Sequence, residues 1–194
     1  FYSTTQGKRT FGGKNYCELT PAIVRDNVSV ALQKSMIFEG TVADNVKMGN
    51  KDATDEQVRE ALRIAQMTDF VEGKEEGLDF KLTQSGSNIS GGQKQRINIA
   101  RAIIKPASLY IFDDSFSALD YLTEANLRKE LNKDLVGKTQ IIVTQRSATA
   151  MRCDKVYVMD NGRIVGVGTH KQLLQTCKTY KEIYDSQMGG GINE

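Results

Sequence analysis

No apolar run in the 194 residues approaches the roughly 20 that a membrane-spanning helix needs. The opening Phe1-Tyr2-Ser3-Thr4-Thr5 has neither the basic nor the apolar region of a signal peptide. Any tie to a membrane is therefore expected through a partner or through chain outside these residues. Cysteine is scarce: Cys17, Cys153 and Cys177 are odd in number, far apart and without a CxxC pair, and His170 is the only histidine. That argues against structural zinc and fits a reducing cytosol. There is no basic cluster and no aromatic-laced Lys/Arg stripe, so nucleic acid is not an expected partner. What remains is 39% hydrophobic, 26% charged and nearly neutral at +2, the balance of a soluble globular protein. The length suits one domain with a sizeable core.

The signals along the chain alternate between strand and helix. Val28-Ser29-Val30-Ala31-Leu32 reads as a strand. Thr54 and Gln57 form a capping box that opens a helix from Asp55 to about Ala65, with Val58, Leu62 and Ala65 on one face. A second helix runs from near Gly92 to Lys105 and stops before Pro106. Leu109-Tyr110-Ile111-Phe112 is a continuous apolar run, as in a strand buried on both faces. A helix over about 121–134 and a strand over 139–144 follow. The runs 155–159 and 163–167 flank Asp160-Asn161-Gly162, a hairpin signal. Two amphipathic helices, near 170–175 and 179–186, end before a glycine-rich tail over 186–194 that is expected to fray. Strands alternating with helices predict an α/β fold, a mostly parallel sheet covered by helices on both faces.

Chemistry concentrates at two places. The strand 109–112 ends in Asp113-Asp114, and open α/β sheets bind ligands outside the carboxyl ends of their strands. Two adjacent carboxylates repel unless something positive sits nearby, and a magnesium ion on a phosphate chain suits that need. A helix-capping Asp pair is the competing reading. Upstream, Asn88-Ile89-Ser90-Gly91-Gly92-Gln93-Lys94-Gln95-Arg96 sets two glycines at a helix start, which is wasteful of stability. They make sense where a ligand must approach the backbone, since bare N–H groups and a serine hydroxyl there cradle phosphate. A serine-capped helix would account for Ser-Gly-Gly alone, but not for its pairing with Asp-Asp 23 residues after Ser90.

On these residues the chain resembles the ATP-binding domain of ABC transporters. Ile89-Ser90-Gly91-Gly92-Gln93 is similar to the signature motif, Leu109 to Asp114 to the Walker B strand, and Ser117-Ala118-Leu119-Asp120 to the D-loop. Gln33 matches the Q-loop glutamine. The likeness runs from Phe1-Tyr2 through the Gly168-Thr169-His170 turn to about Gln187. Segments 36–45 and 84–88 resemble the exporter branch. The resemblance implies a P-loop NTPase-like fold with an inserted helical subdomain over about 40–85. It implies ATP and Mg2+ as cofactors, with Asp113 holding the metal through water and Gln33 sensing metal and γ-phosphate. Ser90, Gly91, Gly92 and Gln93 would contact the nucleotide of an opposing ATP-binding domain. Ser117 to Asp120 would lie at that dimer interface.

Three departures sharpen the expectation. The Gly-x4-Gly-Lys-Ser/Thr phosphate loop is not found: Gly137-Lys138-Thr139 has Asn132 where the first glycine belongs, and Gly7-Lys8, Gly13-Lys14 and Gly73-Lys74 also fail. Because the family's loop precedes a Phe-Tyr like Phe1-Tyr2, the N-terminal β region and this loop are expected to lie before residue 1. The same holds for a transmembrane domain, which would put the protein at the cytoplasmic face of the membrane. Asp114 stands where the family has a glutamate base, and its carboxylate falls about 1 Å short, a misplacement that costs on the order of a hundredfold. Gln145 stands where the family has a switch histidine; it donates a hydrogen bond but carries no proton. Asp114 and Gln145 are thus the candidate catalytic positions of a degenerate site, while the signature is intact. That combination resembles one subunit of a heterodimeric exporter. A soluble ABC ATPase of DNA repair or translation, and a non-catalytic dimerisation module, are the alternatives.

Overall fold

A computed structural model describes residues 4–188, which form two compact units dividing between Val143 and Thr144. The expected Phe1-Tyr2 match and the triglycine tail lie outside the described residues.

In the first unit, a hairpin of β1 (Thr10–Phe11) and β2 (Lys14–Asn15) precedes α1 (Pro21–Asn27). Thr20 caps α1 by accepting from the Ile23 N–H at 3.4 Å, and Pro21 fills a first-turn position where its missing N–H costs nothing. Strand β3 (Val28–Ala31) follows directly. β4 (Gly40–Thr41) leads into α2 (Val42–Lys47), α3 (Asp55–Ile64), α4 (Thr68–Glu72) and β5 (Lys81–Leu82). β4 and β5 pair antiparallel, so the residues between them form a closed, largely helical excursion. Capping boxes fix the starts of α2 at Thr41/Asp44 and of α3 at Thr54/Gln57.

The unit is completed by α5 (Gly91–Ile103), β6 (Leu109–Asp113), α6 (Tyr121–Asp134) and β7 (Thr139–Val143). β3, β6 and β7 form a parallel sheet in the order β3-β6-β7, with Ala31 opposite Phe112 and Asp113 opposite Val143. The central place of β6 explains its unbroken apolar run: Tyr110 and Phe112 are buried and no residue of the strand is fully exposed. Among the described residues β7 pairs only with β6, and its Ile141 and Val143 are about half exposed, at 46% and 49%.

One core joins these elements. Phe112 stacks on Phe116 with ring centroids 5.5 Å apart, among Ile97 and Ile99 of α5, Val58 and Leu62 of α3, and Leu127 and Leu131 of α6. Each such fully buried side chain contributes about 1.5–3 kcal/mol relative to exposure. Arg63 clamps α3 to α6, reaching Glu60 in its own helix at 2.7 Å, Glu130, and Asp134 at 3.4 Å.

The second unit holds α7 (Ser147–Ala150), the antiparallel pair β8 (Val156–Asp160) and β9 (Arg163–Gly168), α8 (His170–Thr176) and α9 (Lys178–Met188). Asn161 and Gly162 have φ of 46° and 75°, the paired positive values of a two-residue hairpin turn. Val158, Leu173, Cys177 and Tyr180 make a small separate core. Residues 186–188, expected to be part of a frayed tail, continue α9 instead.

Candidate functional site

The carboxyl ends of β3 and β6 are held in place by buried polar side chains. Asn98 on α5 donates from Nδ2 to the Leu32 carbonyl at 3.0 Å, and Ser115 Oγ donates to the Ala31 carbonyl at 2.8 Å. The chain leaving β3 is thereby fixed where Gln33 meets the end of β6. Gln33 Nε2 lies 3.4 Å from Asp114 Oδ2.

Asp114 itself is strained. Its φ of 46° lies in the left-handed region, which costs an ordinary residue about 1–2 kcal/mol and which aspartate tolerates better than most. Several bonds impose the conformation. The Asp114 N–H donates to the Val143 carbonyl at 3.0 Å, and its carbonyl accepts from Ser117 N at 3.3 Å and Ser117 Oγ at 2.9 Å. Such strain is found at functional sites held by their surroundings. Asp113, the last residue of β6, pairs with Val143. Gln33, Asp113 and Asp114 offer oxygen donors only in number for a hard cation that keeps other ligands. Among the described residues no group of three His, Cys, Asp or Glu could hold a metal by itself. Two carboxylates and an amide oxygen suit Mg2+, which is held by one or two carboxylates and completed by phosphate and water.

Around the start of α5, Ser90 to Gln93 take defined structural roles. Ser90 Oγ accepts from the Gln93 N–H at 3.2 Å, and Gln93 Oε1 accepts from the Ser90 N–H at 2.8 Å. A Cβ on Gly91 would meet nothing within 4 Å, whereas one on Gly92 would come to 3.1 Å from the Ala118 carbonyl oxygen. Gly91 thus faces open space, while Gly92 is small because the 117–120 loop lies against it. In that loop Leu119 is buried, and Asp120 caps α6 by accepting from the Thr123 N–H at 2.9 Å. This bond holds the Asp120 carboxyl below the usual aspartate range. Gln145 belongs to the second unit, where its carbonyl accepts from Gln187 Nε2 at 2.7 Å.

Several supporting residues escaped the sequence reading. Gln95 and Asn98 are buried on the same stripe of α5 as Ile99 and Ala102, at the spacing of one helix face. Polar side chains on an apolar stripe were the available signal. Arg101, one turn on, ties α5 to the segment after β3: it donates to the Asn45 carbonyl at 2.7 Å, Asn45 Oδ1 at 2.9 Å and the Met36 carbonyl at 2.8 Å.

Comparison with known proteins agrees with this arrangement. Residues 1–117 match the family model of the ABC transporter. The chain is 37% identical over 187 residues to the uncharacterized ABC transporter ATP-binding protein YfiC of Bacillus subtilis, covering 96% of this chain and 31% of that protein. It is 38% identical over 188 residues to an ATP-dependent lipid A-core flippase of Hahella chejuensis, covering 96% and 32%. Among solved structures, a bacterial Atm1-family ABC exporter with ATP bound superposes with a TM-score of 0.91 at 28% identity, over 96% of this chain and 32% of that one. The chain thus spans about a third of the length of these relatives. With the family model matched over more than half of its residues and the fold matched along nearly all of them, this chain belongs to the ABC transporter family as part of an ATP-binding domain.

Proposed function

We propose that this chain serves an ABC exporter at the cytoplasmic face of a membrane, binding ATP and Mg2+ between itself and a second ATP-binding domain on a different chain. The observation that carries this reading is the meeting of Gln33 with Asp114 at the carboxyl ends of two parallel strands. Bound Mg2+ would neutralise charge building up on the phosphate oxygens. Asp113 would orient that ion through its water ligands, and Gln33 would contact it from the opposite strand end. Asp114 is the base of the site built on this chain, and it is a poor one because its carboxylate is short by a methylene. Gln145 can donate to a γ-phosphate but cannot relay a proton. Ser90 and Gly91 would meet nucleotide held by the partner, through the exposed start of α5. This chain accordingly weakens its own site and completes the partner's. A membrane domain on the same polypeptide would convert the pairing of the two ATP-binding domains into export.

Isothermal titration with Mg-ATP tests the reading. No Gly-x4-Gly-Lys-Ser/Thr occurs in the 194 residues, so this stretch alone should bind ATP weakly and not hydrolyse it. The assembled transporter should bind it tightly. Micromolar affinity in the 194-residue stretch by itself would contradict the assignment of the phosphate grip to residues outside it.

A further inference from the structure

Gln95 is 7% exposed, on the inner side of α5, one turn beyond Gly91. Its Oε1 accepts from the Ala118 N–H at 2.9 Å, and its Nε2 donates to Ser117 Oγ at 3.2 Å. The Ala118 N–H can only donate, which fixes which end of the amide is which. Ser117 Oγ, receiving from Gln95, spends its own hydrogen on the Asp114 carbonyl at 2.9 Å. The three groups thus form a chain of donors running one way from α5 to Asp114, an arrangement in which each bond strengthens the next. Gly92 lets the loop come this close, since a Cβ there would lie 3.1 Å from the Ala118 oxygen.

We propose that Gln95 is a positioning residue that couples the Ser90-Gly91-Gly92 turn to the backbone of Asp114. On the proposed function, from which this inference takes its meaning, those two features serve different nucleotide sites. Movement of α5 when the partner's nucleotide is clasped would therefore be felt at Asp114, through Gln95 and Ser117. The Asp114 backbone is sensitive to such a pull because its left-handed conformation is maintained by those same contacts.

The test uses the whole transporter with its partner chain and two variants. Gln95→Met keeps the side-chain size and removes both hydrogen bonds. Gln95→Glu keeps the acceptor for Ala118, removes the donor, and draws the Ser117 hydroxyl away from Asp114. In Gln95→Met, amide exchange over residues 114–119 should quicken about tenfold, the scale of one lost hydrogen bond. Single-turnover hydrolysis at the site built on this chain should slow about tenfold with ATP affinity there moved less than about twofold, and adding Ser117→Ala should cost little more. In Gln95→Glu, Ala118 exchange should stay slow while single-turnover hydrolysis at the site built on this chain slows. This second variant decides the matter if Gln95→Met folds poorly. Unchanged exchange in Gln95→Met, an unchanged single-turnover rate at this chain's own site in either variant, or full additivity with Ser117→Ala, would overturn the proposal. A wild-type transporter without ATP hydrolysis would instead overturn the proposed function, and the exchange rates would still decide the role of Gln95.

Discussion

Gln33 Nε2 and Asp114 Oδ2 lie 3.4 Å apart although 81 residues separate them, because β3 and β6 run parallel with Ala31 opposite Phe112. A hydrogen bond of this length is weak, so either group can turn to another partner at little cost. The Asp114 backbone is less free, pinned by the Val143 carbonyl and by Ser117. A substitution at this position should therefore change the reach of the carboxylate while leaving its base in place.

The first prediction follows. In the assembled transporter, Asp114→Glu combined with Gln145→His should raise turnover at the site built on this chain by roughly a hundredfold, the scale of a 1 Å correction. Single-turnover hydrolysis with both sites occupied measures it. Flat turnover would mean that these two residues do not account for a slow site.

Arg101 should be the most costly polar residue of α5 to lose. Its guanidinium serves three acceptors, on Asn45 and Met36, and burial lowers its pKa from the ordinary arginine value. Arg101→Met should destabilise the protein by roughly 2–4 kcal/mol, since it removes three charge-assisted hydrogen bonds, two to the fully buried Asn45 and one to Met36, and leaves Asn45 Oδ1 with only the Phe38 N–H at 3.0 Å. Arg101→Lys should recover only part, because one ammonium cannot reproduce the planar fork. Urea unfolding at unchanged slope gives the value; a loss under about 0.5 kcal/mol would contradict this role.

The structure confirms much that the residues announce locally. The helix 121–134 has the expected ends, Thr54 and Gln57 form their capping box, and Asn161-Gly162 makes the turn it predicts. Each depends on signals within a few residues of one another. What escaped depends on partners far apart in sequence. β4 and β5 are two residues each and pair across an intervening helical segment, so neither carries a readable alternation. Gln95 and Asn98 interrupt the apolar stripe of α5, but their partners, like those of Arg101, lie more than 20 residues away in sequence. Gly92, read from sequence as space for a ligand, is also space for the chain's own Ala118.

Acid should weaken the first unit in a definite window. Hydrogen bonds from Arg63 hold Glu60 and Glu130 below the usual glutamate range, and the Thr41 and Thr123 N–H groups do the same for Asp44 and Asp120. Their folded pKa values are depressed, so the stability they contribute is present above the unfolded values, roughly 4.3 for glutamate and 3.9 for aspartate. It is lost as pH falls through the lower folded values. On account of these groups the melting temperature should be flat from pH 7 to about 5.5 and decline below roughly pH 4.3. Arg63→Met should flatten that decline. An identical acid profile in Arg63→Met would show that the Glu60 and Glu130 shifts do not arise from Arg63.

The central claim is that the start of α5 completes a nucleotide site on a partner. Ser90 is exposed and caps the helix, and Gly91 beside it has no neighbour within 4 Å of a built Cβ. Ser90→Arg would fill that space with a long cation where a γ-phosphate has to approach. The two domains could then not close into the geometry hydrolysis requires. The decisive measurement is steady-state ATPase activity of this chain co-purified with its partner, set beside a complex whose partner has a disabled base. If the account holds, both complexes fall to a similar low rate, because each breaks the same competent site. Near-normal hydrolysis in the Ser90→Arg complex would contradict it, leaving this signature with no catalytic site to serve.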